Sequence, residues 1–243
     1  MDVVQAIEDG RATVDWVLIK SEYAGYKLRI SVMKDALKVD NVRQPATAIE
    51  LQRVADRLGA MLLTPKVADL IWLQAGRLGT QFNPVINHRY PGDAKSTIVA
   101  MMAADHVSKL VDEKVRSVEG AGKLVASVGK YWVLTNELLK GKYGSAQACN
   151  YGWHSHGAPY RAVTLGLHVW QPIGLAHNNL HVDPSQVIRL MHRTAFLTCP
   201  GCKEEIVDLR LVASDATYAK LINHEGPLKV LRQPGVPDPK IVA

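Results

Sequence analysis

The chain has 243 residues, of which 47% are hydrophobic and 21% are charged, a composition that excludes an intrinsically disordered protein. Its formal net charge of +6 favours polyanionic partners. Nucleic acid is the disfavoured polyanion, because the sequence has no long run of basic residues, no zinc-finger spacing and only two Phe residues for base stacking.

Neither a membrane span nor an export signal is predicted. No apolar stretch approaches the roughly 18 residues that a transmembrane helix requires. The N-terminus reads MDVVQAIEDG, with acidic residues where a signal peptide has a basic region and an apolar segment. We therefore expect the chain to be made in the cytoplasm, with lysis or a phage particle as its routes outward.

The first part of the chain predicts two strands and then a helix. Alternation of apolar residues indicates short strands over 16–20 and 26–33. Thr47 and Glu50 have the spacing of a capping box, and apolar residues follow at helical intervals. This pattern predicts a helix over 47–58.

The next helices are followed by a change of period. Thr64 and Pro65 are typical of an N-cap and a first helical position, and Asp93 is a candidate cap for a long helix to about Val118. From Gly120 the apolar period changes from that of a helix to that of a strand. The elements predicted there are strands over 124–128, 131–135, 146–153, 162–170, 187–197 and 205–207, and a helix over 208–223.

Helices that precede a run of strands are typical of an α+β fold. We predict N-terminal helices packed on a mostly antiparallel sheet, with a C-terminal helix, in a single domain over 1–243. The helical part would span about 46–118 and the sheet-rich part about 120–225, with a Pro-rich tail over 226–243.

The three cysteines are too few, and odd in number, for a disulfide framework. Cys149 lies in a predicted strand and is expected in the core. Cys199 and Cys202 flank a Pro-Gly pair, which favours a hairpin turn. A disulfide across that turn and a metal or redox role are the two alternatives.

Polar residues that could carry chemistry are concentrated between Tyr151 and Arg189. Five of the nine histidines lie there, and loops at strand ends are common positions for catalytic groups. The histidines are His154, His156, His168, His177 and His181.

One interpretation makes Ser185 a nucleophile. A serine hydroxyl needs a base to remove its proton, and His177 or His154 could supply it. Asp183 would orient the ring, and Arg189 would hold an anionic substrate group. No GxSxG motif surrounds Ser185, so the signal is weak.

Two further interpretations stay open. Zinc could be bound by His154 and His156 on a strand and by His177 and His181 on one helical face, with Asp183 as a further ligand. The same groups could instead be structural, bonded to loop carbonyls and to each other. Three tryptophans could line a sugar-binding groove or lie buried, namely Trp132, Trp153 and Trp170.

The order of motifs resembles a family of uncharacterised bacterial and phage proteins, many of them exported. Residues 63–72, residues 130–134 and the Tyr-Gly-Trp-His sequence 151–154 are similar to motifs of that family. The positions that match its downstream polar motif are His177, Asp183, Ser185 and Arg189, and Glu225-Gly226-Pro227 matches its end.

The chain departs from that family at two positions. Gln186 stands where the family has His, and Tyr131 stands where it has Asp after Lys. The family's Ser-His-Gly-Ile-Arg stretch is similar to the box of L,D-transpeptidases, whose nucleophile is a Cys. This chain has no Cys at that place, so transpeptidase chemistry by that route is excluded.

The resemblance implies a shared polar site and, with the basic surface, favours a hydrolase acting on an anionic bacterial cell-envelope polymer such as peptidoglycan. No cofactor is required by the sequence, and zinc is the alternative. The residues predicted to act in catalysis are His154, His177, Asp183, Ser185 and Arg189, and those predicted to bind substrate are Lys130, Tyr151 and Trp153.

The alternative function is a non-catalytic phage virion or envelope-binding protein whose polar cluster is structural. The two functions differ at His154. The catalytic interpretation expects its ring to be exposed at a sheet edge, with Trp153 packed on the opposite face, so that His154→Ala abolishes activity without unfolding the chain. The structural one expects a buried ring whose loss destabilises the fold.

Overall fold

A computed structural model describes residues 2–81, 97–117, 124–162 and 165–239. Helices and mainly antiparallel strands within these ranges form an α+β fold, which confirms the predicted class. The α-helices are α1 (Val3–Glu8), α2 (Ala48–Arg57), α3 (Pro65–Leu78), α4 (Thr97–Arg116) and α5 (Leu209–Ser214). Short 3-10 helices span Asn136–Lys140, Gly144–Ala146 and Ala219–Leu221.

Both predicted helix starts are confirmed, and both depend on side-chain caps. Thr47 Oγ1 accepts from the backbone N–H of Glu50, and the Glu50 carboxylate accepts from the Thr47 N–H at 2.9 Å, which completes the capping box of α2. In α3, Thr64 caps the N–H of Val67 and Pro65 is the first helical residue. The proposed cap of α4, Asp93, lies outside the described residues.

The largest described sheet has the order β14-β13-β3-β2, with β6 also paired to β13. Its strands are β2 (Trp16–Tyr23), β3 (Tyr26–Met33), β6 (Ala60–Leu62), β13 (Leu190–Thr198) and β14 (Glu205–Asp208). The predicted strands over 16–20 and 26–33 are thus the hairpin β2–β3. Buried residues alternate along both strands, so one face of this sheet packs on the core.

A four-stranded antiparallel sheet of order β11-β12-β10-β9 carries four of the eight predicted site residues. Its strands are β9 (Lys130–Trp132), β10 (Asn150–His154), β11 (Tyr160–Arg161) and β12 (His168–Gly174). The remaining strands are β1 (Ala12–Thr13), β4 (Lys38–Val39) and β5 (Val42–Arg43), which pair together, and the parallel pair of β7 (Gly79–Gln81) and β8 (Leu124–Ala126). One continuous cluster of buried apolar side chains joins the helices to these sheets.

The predicted C-terminal helix over 208–223 is wrong in length. Asp208 does cap a helix, but α5 has only six residues. The Asp215 carboxylate then accepts from the N–H groups of Thr217 and Tyr218, which starts a new turn in competition with the helical bonds. The chain continues as a separate 3-10 turn over Ala219–Leu221.

The capping box permits a direct test. Thr47→Ala removes the hydroxyl that holds the Glu50 N–H, and we expect it to lower the free energy of unfolding by about 1 kcal/mol. Thr47→Ser keeps the oxygen and is expected to change the free energy by less than about 0.5 kcal/mol. Urea unfolding of both variants measures the difference, and equal stabilities of Ala and Ser would contradict it.

Candidate functional site

Alternation along β9 divides the predicted site residues between two faces of the sheet. Lys130 and Trp132 point to one face and Tyr131 to the other. The Lys130 Nζ lies 2.8 Å from Asp183 Oδ2, whereas an N–H of the Arg189 guanidinium lies 3.4 Å from the Tyr131 hydroxyl. The two groups of polar residues are therefore separated by the strand that positions them.

The first group, which we call the His177 cluster, consists of Lys130, His177, His181, Asp183 and Ser185. Asp183 is its acceptor: Oδ2 accepts from Lys130, and Oδ1 accepts from the hydroxyl and from the backbone N–H of Ser185. Burial opposes ionisation of Asp183, but the contact with His181 and the charge of Lys130 outweigh it and hold the pKa of this carboxyl well below its usual range.

The two imidazole rings of the cluster are stacked. The ring centroids of His177 and His181 lie 3.7 Å apart with an interplanar angle of 9°, and the edge of Trp132 meets both rings. Partial burial lowers the pKa of His177, and the charges of His181 and Lys130 lower it further against the opposing effect of Asp183. The neutral form of His177, which can accept a proton, therefore predominates at neutral pH.

A buried glutamine fixes the loop that carries His177. Gln147 Nε2 donates to the carbonyls of Leu175 and His177, both at 3.0 Å. Gly141 makes room for this side chain, because a Cβ at Gly141 would lie about 2.0 Å from Gln147 atoms. The His177 ring thus projects from a restrained backbone while it stays half-buried.

The second group lies in the protein interior around Asp69, and we call it the Asp69 group. Its Oδ1 accepts from the Tyr151 hydroxyl at 2.7 Å and lies 2.7 Å from His154 Nε2. Trp72 stacks on the His154 ring with centroids 5.9 Å apart. Asp69 is fully buried and His154 is only 2% exposed, so the expectation of an exposed His154 ring is wrong.

The backbone of Trp153 explains this burial. Its φ of 56° lies in the left-handed region, and the pairing of β10 with β12 shifts register between Asn150 and Gly152. A regular strand would place Tyr151 and His154 on opposite faces, but the irregularity brings both to Asp69. The Trp153 ring is half-buried and lies 6.0 Å from Lys130 Nζ.

Arg189 is fully buried, and its guanidinium group is hydrogen-bonded to backbone carbonyls. It donates to the carbonyl oxygens of Met33, Val125 and Lys34 at 2.7 to 3.0 Å, besides its contact with Tyr131. A guanidinium has five N–H donors, and these bonds use most of them. The expectation that Arg189 holds a substrate anion is therefore wrong for the described geometry.

Ser185 is also turned inward. It is 3% exposed, and its hydroxyl donates to Asp183 rather than to a histidine. Within the described ranges no imidazole nitrogen is hydrogen-bonded to Ser185. The sequence analysis expected His177 or His154 beside Ser185, but the structure places the Ser185 hydroxyl on Asp183, without the base that a nucleophilic serine needs.

The histidines do not form the ligand set of the zinc alternative. His154 and the exposed His156 contact Trp72, while His177 and His181 lie in a loop on the other side of β9. Among the described residues, no three His, Cys, Asp or Glu side chains are placed to hold one metal ion. The helical face expected for His177 and His181 is likewise absent from the described loop.

Neither of two sizeable surface clefts is lined by the His177 cluster. One, of about 220 Å³, is bordered by the paired charges of Asp35, Lys38, Arg43 and Asp112. The other, of about 540 Å³, lies between α1 and α2 near Pro239. The His177 cluster therefore lies outside both clefts.

Of the alternatives left open for Cys199 and Cys202, the structure shows the disulfide. Cys199 and Cys202 form a disulfide across the predicted Pro-Gly turn. Cys149 is a free, buried thiol, and burial raises its pKa to about 12. A thiol that stays protonated at neutral pH is a poor nucleophile, which agrees with the expected core position.

Asp69 is the central polar residue that sequence reasoning did not single out. It lies 85 residues before His154, so no local spacing connects the two. The available signal was its place in the 63–72 stretch, which carries part of the family resemblance. Asp69 is also the one charged residue in the otherwise apolar run 67–73, which was a further indication that its carboxylate has a buried partner.

Comparison with known family models, curated proteins and solved structures finds no match. The resemblance to exported bacterial and phage proteins therefore stays a prediction. No helix in the described part of the chain combines the length and the apolar character needed to cross a membrane.

The Asp69 group predicts a stability effect at His154. His154→Ala leaves a buried carboxylate with Tyr151 as its one bonded partner among the described residues, and Oδ2 already lacks a partner. We expect the free energy of unfolding to fall by about 3 kcal/mol. His156→Ala, at an exposed neighbour on Trp72, is the control and should cost less than about 1 kcal/mol.

Urea unfolding decides between the two interpretations of His154. A His154→Ala protein with wild-type stability and no activity would restore the catalytic assignment of this residue. If His154→Ala and His156→Ala lose the same free energy of unfolding, the His154 ring stabilises the fold through its contact with Trp72. The hydrogen bond from His154 to the Asp69 carboxylate would then not be the source of that stability.

Proposed function

We propose that this chain is a hydrolase acting on a bacterial cell-envelope polymer, peptidoglycan in the first instance, with His177 as the general base. The observation that carries the proposal is the His177 cluster itself. It joins a neutral, half-buried imidazole to a stacked histidine, an ionised carboxylate and a buried lysine. General bases need this protonation state near neutral pH.

The roles within the cluster follow from its contacts. His177 accepts a proton from a water molecule as the water oxygen bonds to the scissile centre. The bond to the leaving group then breaks, and His177 returns the proton to that leaving group. Asp183 stays ionised beside Lys130 and His181, and so fixes the side of the stack that faces away from substrate. Ser185 supports Asp183 through two hydrogen bonds and acts as a positioning residue.

The choice of substrate rests on three features. The net charge of +6 suits an anionic cell wall. Trp170 and Tyr160 are 40% and 53% exposed on the sheet that contains Lys130, and aromatic faces stack on sugar rings. The third feature is the resemblance to a family of proteins that are often exported.

A specific observation favours a second candidate, the non-catalytic virion or envelope-binding protein. Three of the five residues predicted to act in catalysis are buried and bonded internally, as a structural role requires: His154, Ser185 and Arg189. This candidate predicts polymer binding without cleavage.

Zymography on purified cell walls separates the two candidates. His177→Ala should lower wall-degrading activity by about two orders of magnitude or more, because a general base contributes that much to the rate. Its melting temperature should stay within a few degrees of the wild type, since the ring is half-exposed. His156→Ala is the matched exposed control and should stay active.

Three results would count against the proposal. A wild-type protein that binds walls without cleaving them would establish the second candidate. Full activity of His177→Ala would remove His177 as the base. Loss of wild-type activity on treatment with a chelator would favour the zinc alternative.

The pH dependence of activity tests the identity of the base. Since the pKa of His177 lies below the ordinary value of about 6.5, the base form is lost only as pH falls below that value, and kcat/KM should decline there. Lys130→Met removes a charge that lowers this pKa, so the midpoint should move to higher pH. An unchanged midpoint in Lys130→Met would show that another group titrates.

A further inference from the structure

Two lysines converge on one tyrosine at the end of β2, away from the His177 cluster. The Nζ atoms of Lys66 and Lys220 lie 5.9 Å and 5.4 Å from the centroid of the Tyr23 ring. The three residues come from a strand, a helix and a 3-10 turn, so the fold assembles them from distant parts of the sequence. We call this group the Tyr23 patch.

The positive charge of the patch is not neutralised within the described part of the chain. Neither Lys66 nor Lys220 forms an ion pair there, although many other lysines and arginines do. Glu22, the acidic residue next to Tyr23, points to the opposite face of β2 by strand alternation. Partial burial lowers the pKa of Lys66, which is the effect of desolvation without a compensating carboxylate.

The backbone around the patch is held in place by side chains. Lys66 Nζ donates to the carbonyl of Lys220, Thr64 Oγ1 donates to that of Ile222, and Ser21 Oγ donates to that of Leu221. The three successive carbonyls of residues 220–222, at the end of the 3-10 turn, are thus bonded to side chains of β2 and of the start of α3. This arrangement fixes the Lys66 ammonium group against the turn and fixes the backbone from which Lys220 projects.

We infer that the Tyr23 patch binds a phosphodiester group of an anionic cell-envelope polymer such as poly(glycerol phosphate). Each ammonium group lies 5.9 Å or less from one ring centroid and has no carboxylate partner among the described residues, so a polymer with a phosphate in every repeat can offer acceptor oxygens to both. The inference deepens the proposed function, on which the choice of an envelope polymer rests. The Tyr23 patch would hold the anionic polymer of the wall, while the His177 cluster would act on the glycan or peptide part.

Nucleic acid carries the same phosphodiester chemistry but fits the patch less well. Proteins that bind single strands combine cations with open aromatic faces on which bases stack. Here the Tyr23 ring contacts two ammonium groups, and the neighbouring Tyr26 ring is packed edge-on against Tyr218 with centroids 5.2 Å apart. The patch therefore offers charge without a stacking platform.

The test is calorimetric titration of the full chain with soluble poly(glycerol phosphate) at low and at physiological salt. Lys220→Ala removes one ammonium group from the exposed side of the patch and is expected to weaken binding about fivefold. Lys66→Met keeps the apolar stem, loses the charge and should weaken binding to a similar extent. Lys142→Ala is the matched control, because Lys142 lies 5.0 Å from the single ring of Tyr143.

The control should weaken binding less than about twofold. Equal losses in Lys142→Ala and Lys220→Ala would show that only net charge matters and would overturn the site, as would wild-type binding by Lys220→Ala. Lys220→Ala decides the result if Lys66→Met fails to fold. Equally tight binding of a single-stranded DNA of the same charge, lost in Lys220→Ala, would overturn the assignment to an envelope polymer.

A second measurement keeps this inference apart from the proposed function. Cell walls extracted with hydrofluoric acid lose their phosphodiester polymers but keep peptidoglycan. Lys220→Ala should cleave extracted walls at the wild-type rate, whereas His177→Ala should bind poly(glycerol phosphate) as the wild type does. Polymer binding that depends on Lys220 in a protein that cleaves no wall would contradict the proposed hydrolase and leave the binding site standing.

Discussion

A buried guanidinium group without a bonded carboxylate among the described residues constrains how the sheets are joined. Arg189 donates to carbonyls at the end of β3, in Lys34 and in β8, and it reaches the Tyr131 hydroxyl on β9. Taking a charge out of water is costly unless its donors find partners. These backbone segments must therefore keep their carbonyls directed at one point, which fixes the position of β9 relative to the large sheet.

The placement of β9 then determines the chemistry available on each of its faces. Tyr131 faces the interior with Arg189, and its pairing partner Tyr151 reaches the buried Asp69. Lys130, one residue earlier, points the other way and is buried there in an ion pair with Asp183. A shift of register by one residue would exchange these faces, placing a lysine beside Arg189 and a tyrosine beside the histidines. The interior hydrogen bonds of Arg189 and Asp69 thus specify the arrangement of the His177 cluster.

Local signals predicted the fold better than they predicted the site. The capping box at Thr47 and the Thr64-Pro65 pair act within one helical turn, so sequence spacing alone identified both helices. The helix from Asp208 was overextended because the competing turn at Asp215 also uses a local side-chain bond, one that apolar periodicity does not show. Lys130 and Asp183 were selected separately, and their ion pair was visible only once β9 was placed.

The motif that looked most informative, Tyr151 to His154, shows why a resemblance cannot by itself separate catalytic from structural residues. A buried hydrogen-bonded group and an open catalytic group are both hard to replace, so both appear as fixed positions in a shared pattern. Burial separates them here: His154 bonds to Asp69 inside the fold, whereas His177 stacks on His181 at the surface. Nothing in the sequence indicates that Trp153, a bulky residue that rarely adopts a positive φ, turns His154 inward. The same histidine-rich segment therefore supplies both the interior hydrogen bond of His154 and the half-buried imidazole of His177.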